Sequence, residues 1–81
     1  MDKVYALVKG MFWKGEKTVG IYRNQNTASE AAVEEVKKYN QAVEGDFLLK
    51  PLPLTPEVTD EGLYWGNEDD FYVEVVEMDL L

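Results

Sequence analysis

Three stretches of this sequence carry residue types that could do chemistry. Gly10-Met11-Phe12-Trp13-Lys14-Gly15-Glu16-Lys17-Thr18 nearly spells the phosphate-cradling loop G-x-x-x-x-G-K-[ST], in which the lysine directly follows the second glycine and a helix follows the loop. Here Glu16 stands in the lysine's place, where it would repel phosphate, and the following residues read as a strand, so the segment is a hairpin turn. Asn67-Glu68-Asp69-Asp70 collects hard oxygen ligands of the kind that hold Ca²⁺ or Mg²⁺ but lacks the D-x-[DN]-x-[DN]-G pattern. Its plainer reading is a solvated turn leading into a strand, and no metal or other cofactor is expected. Lys50-Pro51-Leu52-Pro53-Leu54-Thr55-Pro56 has the form of a polyproline ligand for an aromatic groove, a pattern that a stiff connector also produces.

Catalytic residues are scarce. The chain has no Cys and no His, and Ser29 is its sole serine, placed where a first helical turn is expected. Without a thiolate or an imidazole base, nucleophilic catalysis has no players. Paired carboxylates would need a concave pocket to raise one of them, and a single helix on a sheet rarely provides one. The expected activity is binding, not catalysis.

Charge points to what could be bound. Residues 1–50 hold eight bases and seven acids, whereas residues 51–81 hold nine acids and no Lys or Arg, which accounts for the net charge of −8. A surface of this kind repels nucleic acid and anionic lipid, so the expected partner is a basic protein surface. Glu57, Asp60, Glu61, Glu68, Asp69, Asp70, Glu74 and Glu77 are the candidate contacts, imitating a phosphate backbone toward a nucleic-acid-binding site on another protein. Solubility alone would also account for the acids. Three aromatic pairs, Phe12-Trp13, Tyr64-Trp65 and Phe71-Tyr72, add contact anchors if one member of each faces outward; Trp65 is the anchor expected beside the acids. The alternative is a small-molecule site lined by Trp13, Tyr64 or Trp65, at the interface of a homodimer.

These residues must be positioned by few elements. Eighty-one residues make one domain, 1–81, because a chain this short buries only about 60–65% of its unfolded surface and cannot support two cores. Val4 to Val8 and Lys17 to Arg23 read as strands of an antiparallel hairpin with a long aromatic tip, and Gly20 suggests a bulge. Thr27-Ala28-Ser29-Glu30 has the form of a capping box. Ala28, Ala32, Val36, Tyr39 and Val43 then mark the buried face of a helix of about four turns, with Glu34 and Lys38 paired outside and Gly45 as its stop. The prolines of 50–56 exclude a central strand; Leu63 to Trp65 is a short candidate and Phe71 to Met78 a final strand. The fold class is α+β, an antiparallel sheet of three to four strands with one amphipathic helix packed on one face. The absence of cysteine and of any apolar run long enough for a signal or membrane span points to the cytoplasm.

The order of these pieces resembles a family of small bacterial and phage proteins known as a domain of unknown function. The resemblance is carried by Val4-Tyr5-Ala6-Leu7, Gly20-Ile21-Tyr22, the helical face from Ala28 to Val33, and Phe71-Tyr72-Val73 with Glu77-Met78. It leaves out residues 46–66. It implies a β-β-α-β core and a bacterial or phage setting, and it supplies no activity and no catalytic residue; in a phage setting the acidic surface leads us to expect a phage or mobile-element accessory protein acting on a host protein such as a defence enzyme.

Overall fold

The computed structural model describes residues 3–11, 14–45, 50–66 and 71–79. Its elements are β1 (Lys3–Met11), β2 (Gly15–Tyr22), α1 (Gln25–Ala42), β3 (Glu57–Val58), β4 (Gly62–Gly66) and β5 (Phe71–Asp79). The strands form one antiparallel sheet in the order β2-β1-β5-β4-β3, so it has five strands where three to four were expected. The extra strand is β3, two residues long and too short to show a period-two pattern. It exists because Thr59 turns the chain: Thr59 and Gly62 exchange backbone hydrogen bonds of 2.8 and 3.3 Å, and the Thr59 hydroxyl accepts from the amides of Glu61 and Gly62. Gly62 is required there, since its φ of 151° disfavours any side chain and a Cβ would run into the Val75 carbonyl.

The β1–β2 hairpin is tighter than expected. Pairing runs on to Met11 and Gly15, and the Lys14 amide donates to the Met11 carbonyl, which leaves only residues 12–14 for the connection. Phe12 and Trp13 lie outside the described residues. The bulge suggested by Gly20 is present: Leu7 pairs with Gly20 and Val8 with Thr18, so Val19 is the extra residue.

The helix starts a little earlier than the T-x-x-E box implied. Asn24 is the N-cap, and its side-chain oxygen accepts from the Thr27 amide at 3.0 Å. Asn24 has extended dihedrals (φ −137°, ψ 141°), and the polar residues Gln25 and Asn26 fit the exposed first turn. Outside the helix, Glu34 pairs with Lys37 at 4.0 Å, an i,i+3 contact in place of the expected partner Lys38. The predicted inner face is the one buried: Ala28, Ala32 and Val36 meet Leu7, Trp65, Val73 and Val75 of the sheet. Alanines four residues apart let the helix lie close to the strands, while Tyr39 stacks on Phe71 with ring centroids 4.3 Å apart.

The proline-rich connector reaches the core through Leu52. Asn40 holds Leu52 at both ends, donating to its carbonyl at 3.0 Å and accepting from its amide at 2.6 Å. Leu52 is thereby buried, while Pro51, Pro53, Leu54 and Thr55 around it are exposed.

Candidate functional site

One face of the sheet is covered by α1 and the other, here called the open face, by no described element, although Ala6 and Val8 at its centre are buried; the register assigns each strand residue to a side. Leu7, Lys9, Tyr22, Trp65, Val73 and Val75 stand on the helix side, as the core cluster and the 3.6 Å ion pair from Lys9 to Glu35 of α1 establish. Their neighbours along each strand fall on the other side, where aligned partners form cross-strand rows. One row is Glu16, Gly10, Tyr72 and Gly66; the next is Thr18, Val8, Glu74, Tyr64 and Glu57. Beyond them come Ile21, Ala6, Val76 and Gly62, then Val4 and Met78. The open face therefore has an aromatic and acidic end and an apolar end.

The first row works because two of its members are glycines. Tyr72 is flanked by Gly10 on β1 and Gly66 on β4. With no side chain on Gly10, Glu16 reaches from β2 across β1 and accepts a 2.5 Å hydrogen bond from the Tyr72 hydroxyl. A Cβ on Gly10 would lie 2.9 Å from the Cβ of Glu16 and 2.7 Å from the Gly15 carbonyl. On the other side the Tyr64 ring lies over Gly66, in the space a Cβ there would take. Tyr64 and Tyr72 thus stack with centroids 6.0 Å apart and planes 21° apart. Glu16, Tyr72, Tyr64 and Glu74 surround a shallow depression of about 370 Å³ reaching Met11 and Gly15.

The electrostatics of this corner are one-sided. Its hydrogen bond to Glu16 raises the Tyr72 phenol to about 12, with burial and the nearby carboxylates adding to the effect. Burial lifts Glu74 above the ordinary carboxyl range, and the charges of Glu61 and Glu16 raise it further. Among the described residues no lysine or arginine occupies an open-face strand position; Lys3, Lys9 and Lys17 all fall on the helix side.

Of the residues singled out in the sequence, the structure brings together Glu57, Glu61 and Glu74, with Asp60 exposed in the adjoining turn. Glu77 diverges: it stands on the helix side and pairs with Lys3 at 3.2 Å. Glu68, Asp69 and Asp70 lie outside the described residues. Trp65 is no contact anchor. It is 1% exposed, sits on the helix side of β4 against α1, and donates its indole N–H to the Leu54 carbonyl at 3.2 Å. The outward member of that pair is Tyr64. Sequence reading also missed Glu16, which lies in the nearly neutral half and joins the acids only through the pairing of β2 with β1 and of β1 with β5.

Among the described residues no three metal-ligating side chains gather into a site, and no helix is long and apolar enough to cross a membrane. Comparison with family models, curated proteins and solved structures finds no match to this chain. The functional reading therefore rests on the geometry of the open face.

Proposed function

We propose that this chain is a non-enzymatic protein-binding module whose acidic open face occupies a basic, nucleic-acid-binding site on another protein. One observation carries the reading: the described strand positions of the open face hold Glu16, Glu57 and Glu74 and no lysine or arginine, whereas Lys3, Lys9 and Lys17 stand on the helix face, where Glu77 and Asp79 offset part of their charge. A face of one sign steers an oppositely charged partner and orients it on approach. The apolar rows beside the acids, with Ile21 and Met78 exposed, supply area that charge alone lacks. A phage or mobile-element accessory protein acting on a host defence enzyme is a setting this chemistry suits.

A lysine nonapeptide titrated into isotopically labelled protein at low salt tests the reading. Amide shifts should concentrate on open-face residues and fade as salt rises. Changing Glu57, Glu61 and Glu74 together to Lys should weaken binding by at least about tenfold. Making the same change at Glu30, Glu34 and Glu44, which are exposed on and just beyond α1, alters net charge equally and should cost far less. Shifts centred on the helix, or equal losses in the two variants, would sink the proposal.

The alternative, a small-molecule site with an aromatic pocket, loses Trp65 to the core and retains Tyr64. The depression is within the roughly 300–1,000 Å³ typical of ligand sites, but it is shallow and continuous with a broad face, which suits a protein surface better.

A further inference from the structure

Building on the acidic-face reading, we propose that the open face receives a basic amphipathic helix of the partner, laid between Ile21 and Met78 on one flank and Glu16 and Glu74 on the other.

The register fixes the arrangement. On β2, Glu16 and Ile21 align with Gly10 and Ala6 of β1; on β5, Glu74 and Met78 align with Val8 and Val4. Each acid therefore stands four β1 positions from its apolar counterpart, and the β5 pair is displaced by two positions from the β2 pair. With about 3.3 Å per residue and about 4.8 Å between strands, the lines Ile21 to Met78 and Glu16 to Glu74 run parallel, each about 12 Å long and roughly 11 Å apart. That length is the rise of about eight helical residues, and that separation is about the diameter of a helix with its side chains.

Between the lines on β1 lie Ala6 and Val8, both buried, whereas Ile21 and Met78 are 58% and 47% exposed, so the apolar flank is the part that an occupant would desolvate. An occupant of a sheet face meets side chains and must satisfy its own amides and carbonyls; a helix does so and an extended segment does not. Glu16 and Glu74, with Glu57 exposed beyond them on β3, call for cations along one side of that helix, and Ile21 and Met78 for apolar side chains along the other. The α1 helix of a second copy fits poorly, because its exposed surface carries Glu30 and Glu34 as well as Lys37 and Lys38.

The test compares two tetradecapeptides of the same leucine and lysine content, one with its leucines on a single helical stripe and one with the order scrambled, by calorimetry, circular dichroism and methyl shifts. The striped peptide should bind at least about tenfold more tightly, gain helical signal on binding and move the methyl signals of Ile21 and Met78. Ile21→Thr combined with Met78→Thr should remove most of that advantage, whereas Val58→Thr, at an exposed apolar residue on the helix side of the sheet, should keep it. Equal affinities, with both peptides on the open face, or equal losses in the two variants, would overturn the helix assignment and leave the acidic-face reading standing. Binding elsewhere, or none, would overturn both. Shifts of the same methyls on concentrating the protein alone would give the face to a second copy and also overturn the assignment. The wild-type comparison decides the matter even if a variant fails to fold.

Discussion

The Tyr72 hydroxyl donates to a Glu16 carboxylate oxygen at 2.5 Å, joining residues 56 positions apart across an intervening strand. This bond ties the outer strand β2 to β5 over the floor provided by Gly10. Its energetic signature is a titration. Tyr72 rises from the ordinary 10.0 to about 12 because the folded protein holds the phenolic proton against a neighbouring carboxylate. Stability from this group is therefore complete below pH 10.0 and is lost as pH climbs through about 12. A phenolate absorbance titration should show one tyrosine ionising near 12, and Glu16→Gln should bring it back toward 10.0. A titration curve unchanged by that substitution would refute the bond.

Glu74 supplies an opposite test at low pH. Burial, aided by Glu61 and Glu16, raises its carboxyl above 4.5, so the folded state binds this proton more tightly than the unfolded chain does. The contribution of this group favours folding at low pH and declines as pH rises from 4.5 through the raised folded value. Glu74→Gln should flatten that decline and raise the melting temperature at neutral pH, as thermal unfolding across a pH series would show. A melting temperature lowered by the substitution at neutral pH would mean that the charged form is stabilised.

Trp65 is a core residue, so its truncation should act on folding. Trp65→Ala should cost about 3–5 kcal/mol in denaturant unfolding, a large share of the roughly 5–15 kcal/mol that holds a small domain together. Trp65→Phe retains most of the ring, loses the hydrogen bond to Leu54 and should cost markedly less. If Trp65→Ala left the denaturation midpoint unmoved, the packing of β4 against α1 would be wrong.

Asn40 makes a sharper prediction, because its amide satisfies the amide and the carbonyl of the partly buried Leu52 backbone. Asn40→Ala leaves both without that partner and should cost about 1–3 kcal/mol. Hydrogen exchange at the Leu52 amide should accelerate in the variant more than exchange in β1 does. Uniform acceleration would mean that Asn40 does not pin the connector.

The strands and the helical face were legible in the sequence where local periodicity coincided with burial. Ala28, Ala32 and Val36 repeat at helical spacing, Phe71, Val73 and Val75 alternate as a strand requires, and Gly20 marked its bulge. The T-x-x-E form pointed to Thr27 as the cap, whereas Asn24, three residues earlier, caps the helix by accepting from the Thr27 amide. Gly62-Leu63-Tyr64-Trp65-Gly66 has no polar residue to show which way the pair points, so Trp65 could be assigned to the core only after the register with Val73 was known. Glu16 was invisible for a related reason: its place among the acids depends on the order of three strands, which no local pattern encodes. Glu77 erred in the other direction, since its charge was counted before its side of the strand was known.

The pairing of β1 with β5 has a consequence for synthesis. Lys3 aligns with Asp79 and Met11 with Phe71, so the central seam of the sheet joins the earliest described strand to the last. A growing chain on the ribosome can complete the β1–β2 hairpin and begin α1, but the other edge of β1 has no strand to pair with until β5 emerges. Throughout that interval the nascent protein presents an unpaired, apolar strand edge that chaperones can recognise.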